Sequence, residues 1–296
     1  MLPVIIGLSG ALIFGAADFL GGMAAKRISA VRVTALGAAS GLVLLFVASV
    51  FVGGTWSAEA VLLGALSGVT GAVAIVLLYA CLAIGPMSIL SPTTAVVSAL
   101  VPMLVGLARG DRLNTIGYVA LALALVAVVL VGFVPEKGAV RPSLRALGMA
   151  VGSGAMIGAF IVIIDMTPPG SGVVPLIANR AVNGLIVFSA IGVIALLTRR
   201  RVRRAAASGE VLEVETSGWR PGLAFAIVSG VIDATANVFL LVGLRIGELT
   251  IQSVLTALYP AGTIILAAVV LKERIAPVQV VGLVLAIAAA SMLALA

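Results

Sequence analysis

Histidine is absent from the 296 residues, and cysteine occurs once, as Cys81. Without imidazole there is no histidine metal site, no histidine base and no histidine proton relay. A lone cysteine excludes an intrachain disulfide and leaves a sulfur metal site without a second thiolate. Charge is scarce as well: Asp, Glu, Lys and Arg make up 10% of the chain, where a soluble domain carries roughly 25%. No acids pair at metal-ligand spacing. No catalytic residue, metal or cofactor is therefore expected, and the chain reads as a non-enzyme.

What fills the chain is apolar: 62% of its residues are hydrophobic, in runs that repeatedly exceed the roughly 18 residues needed to cross a bilayer. Ten spans are expected, at about 3–25, 30–52, 60–82, 86–108, 113–134, 146–166, 172–197, 219–244, 249–271 and 277–296. The first run has no basic stretch before it and is of full span length, so no cleavable leader is expected. The fold class is an all-α membrane protein. Pro92, Pro102 and Pro260 fall inside spans four and nine, where each removes a backbone donor and is expected to bend its helix.

The second half repeats the first. At an offset of 162 residues, 67–134 aligned with 229–296 gives 22 identities in 68 positions, where a composition this skewed matches itself at roughly one position in ten. Leu244-Arg245-Ile246-Gly247 answers Leu82-Ala83-Ile84-Gly85, and Lys272-Glu273-Arg274-Ile275 answers Gly110-Asp111-Arg112-Leu113. Five spans is an odd number, so the second copy must enter the membrane upside down. The expected architecture is two inverted five-helix repeats, 1–134 and 146–296, joined by a connector at 135–145, with a polar loop at 198–218.

The net charge of +7 does not point to nucleic acid, because most of the excess lies in short loops at one end of the spans. With the termini outside, the inside loops hold 14 Lys and Arg residues and the outside loops only Arg109, Arg112 and Arg245. That bias places both termini outside. The run Arg199 to Arg204 then sits at an inner span end, where it fixes topology and meets anionic lipid.

A charge at membrane depth is costly unless paired or wet, so the few buried polar residues are the candidates for function. Asp18 lies in span one, Asp233 in span eight with Asn237 one turn on, and Arg180 in span seven between Asn179 and Asn183. Together they could line a central cavity that binds substrate or a coupling proton. They could instead form an internal ion pair, Arg180 with Asp165 or Asp233, that only holds helices together. Tyr79 and Tyr259 are the aromatic hydroxyls within reach of such a cavity, though packing explains them as well. Asp111 and Glu273 open the last helix of each half, where helix N-terminal charge favours an acid; a gating ion pair is the other role open to them.

The stretch Lys272-Glu273-Arg274-Ile275, with Gln279, Gly282 and Pro260 thirteen residues before Glu273, resembles the end of an EamA domain. Two such domains build the ten-span transporters of the drug/metabolite transporter superfamily. The first copy departs from the pattern: Ser98 stands in place of Pro260, Pro102 follows one turn later, and Gly117 and Ala120 replace the glutamine and glycine. Span one also resembles the first helix of the small multidrug-resistance transporters, in the spacing of Asp18, Gly21 and Lys26. There an acid serves proton and cationic substrate in turn.

The resemblance implies secondary transport of a small polar metabolite such as an amino acid, with a cavity lined by spans one, three, four, six, eight and nine. The expected partners are that small molecule and the lipid bilayer of a prokaryotic plasma membrane, not nucleic acid. One chain holds both halves, so a monomer suffices and a dimer is optional. Characterised ten-span relatives have cytoplasmic termini, opposite to the charge count. A tag beyond Ala290 and a cysteine in the 135–145 connector should be reachable from opposite sides of the bilayer in membrane-impermeant labelling.

Overall fold

The computed structural model describes residues 1–82, 84, 87–132, 142–207, 220–272 and 274–295. Among them there are eleven α-helices and no strand. They are α1 (Leu2–Ala25), α2 (Ala30–Val52), α3 (Ala58–Leu82), α4 (Met87–Arg109), α5 (Thr115–Gly132), α6 (Leu144–Asp165), α7 (Val174–Ala207), α8 (Leu223–Ile246), α9 (Leu249–Thr256), α10 (Tyr259–Val270) and α11 (Pro277–Leu295). Ten stretches are long and apolar enough to cross a membrane, with α9 and α10 together forming the ninth.

Two expectations need correction. The ninth span is broken, not bent: α9 stops at Thr256 and α10 starts at Tyr259, with Pro260 in its first turn. A proline ring collides with the carbonyl four residues back, which here is that of Thr256, and proline is well suited to open a helix. Pro92 and Pro102, by contrast, lie within one continuous helix. The seventh span does not end near 197, because α7 runs on through the arginines to Ala207. Its 34 residues make a rod about 51 Å long at 1.5 Å per residue, against a hydrocarbon thickness of about 30 Å. Arginine and alanine are strong helix formers, so the polar segment continues as helix out of the apolar layer.

The helix pairings respect the repeat. Exchanging α1–α5 for α6, α7, α8, α9 with α10, and α11 turns the α1–α8 contact into α6–α3, α2–α8 into α7–α3, and α1–α10 into α6–α4; all of these pack. The α2–α7, α4–α9 and α5–α11 contacts map onto themselves. A bundle built from inverted repeats requires this pattern. The turns match too: Gly110 (φ 108°) and Lys272 (φ 56°), one repeat apart, both adopt left-handed backbone.

Close backbone approach carries these contacts, since apolar burial gives little net drive between helices in lipid. A Cβ on Gly68 would stand 2.6 Å from the Asn179 carbonyl on α7, and one on Gly15 would stand 2.6 Å from the Thr263 nitrogen on α10. Gly230, the repeat partner of Gly68, lies against Gly37 on α2 with equally little room. Gly154 and Gly158 of α6 pack on Val97 and Val101 of α4. A Cβ on Gly22 or Gly192 would meet nothing within 4 Å. Accordingly Gly68→Ala and Gly230→Ala should each destabilise the protein by about 1–3 kcal/mol, while Gly192→Ala leaves the thermal midpoint in detergent unchanged or slightly raised.

Candidate functional site

Asp18 is fixed on α1 by contacts just before it. Ser229 of α8 donates to the Ala17 carbonyl at 2.8 Å, and Thr263 of α10 donates to the Gly15 carbonyl at 3.2 Å. The Asp18 side chain is exposed and close enough to feel the charge of Asp233. The same face of α1 continues through Gly22 and Ala25, both exposed, towards the end of the bundle that carries Lys26 and Arg27. Tyr259, at the start of α10, shares the electrostatic surroundings of Asp18.

Across from Asp18, the Arg180 guanidinium of α7 pairs with the Asp233 carboxylate of α8. Asn237 donates to the Asp233 carboxylate at 3.3 Å and to its backbone carbonyl at 2.8 Å. Room for the guanidinium comes from α2: a Cβ on Gly41 would lie 3.6 Å from Arg180 Nε. Asn179 turns the other way and donates to Ser67 of α3 at 2.8 Å. Asn183 is buried, with its amide nitrogen 3.6 Å from where a Cβ on Gly71 would sit. Among the described residues no cation and no hydrogen-bond donor meets Asp18. One guanidinium thus faces two carboxylates, and the spare charge is negative.

Asp18, Arg180, Asp233, Asn237 and Tyr259 are accordingly brought together, and the ion pair weighed from sequence exists with Asp233 as its acid. Asp165 instead pairs with Arg109 at 2.9 Å near the termini. The charged groups come from α1, α7 and α8, so α7 contributes although the expected lining omitted it. It does so because it packs on both α2 and α3. The Tyr79 side chain and Glu273 lie outside the described residues. Asp111 does not serve its own helix: Asn114 caps α5 by accepting from Gly117 N at 2.9 Å, and Asp111 accepts from Thr250 N at 3.0 Å, at the start of α9 in the other half. Sequence reasoning missed Glu248 and Gln252 beside that contact. A separate groove of about 520 Å³ between α1, α8 and α10, lined by Leu12, Ile265 and other apolar residues, contains none of these charges.

The sequence profile described as the EamA-like transporter family matches residues 144–295, which is 152 of the 296 positions. The chain belongs to the EamA-like transporter family. It is a multi-pass membrane protein, and its family places it among transporters of the drug/metabolite type. One solved crystal structure, described only as that of a protein, superposes on this EamA-like transporter with a TM-score of 0.71 at 13% identity, covering 99% of this chain and 96% of that one. At that identity the likeness shows the fold alone. No curated protein matches the chain.

Within this EamA-like transporter the repeat explains why the site is lopsided. The positions equivalent to Asp233 and Asn237 in the first half are Gly71 and Ile75, so this acid and amide occur in one copy of the duplicated frame only. Removing one partner of a buried pair leaves the other uncompensated. Arg180→Met alone should lower stability by about 2 kcal/mol, less than a dry pair would lose because this one borders water. The double variant Arg180→Met/Asp233→Leu should recover most of that loss in thermal unfolding.

Proposed function

We propose that the protein is a secondary active transporter that exports a small polar metabolite, such as an amino acid, by alternating access. The two halves, 1–134 and 146–296, rock about the cavity between them. Asp18 is the proton-exchanging group, and the Arg180–Asp233 pair with Asn237 orients substrate. Asn183 and Tyr79 shape the wall between α3 and α7, and Tyr259 shapes the wall at α10. No bond is made or broken in the cargo, the chain works as a monomer, and it resides in the plasma membrane of a prokaryote.

The observation that carries this reading is the contrast between the two acids. Asp233 is tied to Arg180 and Asn237, whereas Asp18 has no cation beside it among the described residues and lies on an exposed face of α1 that runs to the basic end. An ionisable group held at membrane depth without a partner is costly unless its charge is used. When Asp18 ionises, the site carries one net negative charge, and a proton or a cationic substrate neutralises it. That charge count favours a second reading, efflux of organic cations in exchange for protons.

In proteoliposomes an imposed pH gradient should drive uphill flux in the wild type. Asp18→Asn should abolish the uphill component while leaving downhill exchange measurable, and Asp233→Asn should weaken substrate affinity. Flux that equilibrates without responding to the gradient marks an uncoupled facilitator and overturns the proton role. A panel of amino acids and quaternary amines in the same assay separates the two substrate classes.

A further inference from the structure

The end of the bundle that carries both termini is tied by bonds between elements far apart in sequence. Asp111 accepts from Thr250 N at the start of α9 at 3.0 Å. Arg109 of α4 pairs with Asp165 of α6 at 2.9 Å. Thr55 donates from its backbone to the Gly170 carbonyl at 3.0 Å, and Gln252 of α9 donates to the Pro3 carbonyl at 2.9 Å. The Arg245 guanidinium of α8 donates to Ser171 Oγ at 3.1 Å and to the Gly172 carbonyl at 2.9 Å.

Glu248 sits in the middle of this set, in the turn between α8 and α9. Its carboxylate accepts the Arg112 backbone N–H and feels the charge of Asp111, while its Oε2 is buried with no hydrogen-bond partner. The other charged groups at the junction point elsewhere. Arg109 is on Asp165, Arg245 reaches the 168–172 turn, and the Arg112 side chain is exposed. From α1 the contact residue is Pro3, with the Met1 amino group two residues away. Two carboxylates therefore crowd one helix start, and a buried oxygen of one of them has no donor. With both ionised, the arrangement suffers like-charge repulsion and an unmade bond. A proton on Glu248 removes the repulsion and supplies an O–H that can donate across the gap.

We propose that Glu248 is a proton-operated latch: protonated, it holds the Asp111–α9 contact that closes this end, and ionised, it releases it. The proposal rests on the alternating-access reading, for which it supplies a regulation of one gate. Burial first, and the Asp111 charge second, push the Glu248 carboxyl above the usual glutamate range, with the Arg112 N–H partly offsetting them. The latched state thus holds the proton more tightly than the released one. Latching is complete below the ordinary glutamate value and is lost as pH rises through the elevated one.

The test is a distance measurement that needs no substrate. Spin labels are placed at Ile116→Cys on α5 and Ile246→Cys on α8, both exposed, in a Cys81→Ala background reconstituted in lipid nanodiscs. At pH 4 the pulsed-EPR distribution should show one short distance. At pH 8.5 a longer population should grow, about tenfold for each unit by which latching raises the proton affinity. Glu248→Gln should keep the short distance at both pH values, and Asp111→Asn, which removes the repulsion but not the burial of Glu248, should reduce the pH response without abolishing it. A wild-type distribution that ignores pH overturns the latch, as does a pH response that survives in Glu248→Gln. Loss of proton-driven flux in Asp18→Asn is read separately, so failure of the transport reading and failure of the latch give different results.

Discussion

In a hydrocarbon slab one apolar side chain gains little by exchanging lipid for another, so this bundle depends on how closely its backbones approach. Glycines supply that approach where the halves meet: Gly15 against α10, Gly64 and Gly68 against α7, Gly230 against α2. The serines of the same helix faces use the short separations to bond across them, Ser229 to the Ala17 carbonyl and Ser67 to Asn179. Packing and polar satisfaction are thus achieved at the same places. The charged side chains in turn take positions set by those crossings, one residue from Ala17 on α1 and one residue from Asn179 on α7.

The duplicated frame carries its charges unevenly, with Asp18 in the first copy and Arg180 and Asp233 in the second. In the proposed mechanism the shared contacts let the two halves exchange roles, as alternating access demands. Gly71 and Ile75 stand uncharged where the second copy has Asp233 and Asn237, the residues that meet Arg180 or its ion pair. Burying a paired guanidinium beside a spare carboxylate is not a stabilising choice when an apolar pair would serve, which supports the proposal that these residues handle cargo.

Much of this was legible in the sequence because lipid imposes so few solutions. Span number, spacing and duplication follow from apolar run length and from the 162-residue offset, and the termini of most helices fall within a few residues of expectation. The two misplacements have physical causes. Hydropathy ended α7 at the first arginine, but a helix continues wherever its residues favour it, in water or in lipid. Pro260 was expected to bend a helix from within, whereas the clash with the Thr256 carbonyl ends one helix and Tyr259 starts another. In the site, Asp18, Arg180 and Asp233 stood out because a charge in a span demands an explanation. Glu248 did not, since an acid in a short polar turn is ordinary, and only the tertiary contact with Asp111 sets it apart.

The gap between Thr256 and Tyr259 makes the ninth span an elbow. Its short arm, α9, has eight residues, too few to persist as an isolated helix, and it leans on α4 and α1; its longer arm, α10, rests chiefly on α1. Both arms thus seat on the first half, and the break lets each meet its neighbour at its own angle. A single continuous rod there would have to cross α4 and α1 at one common angle.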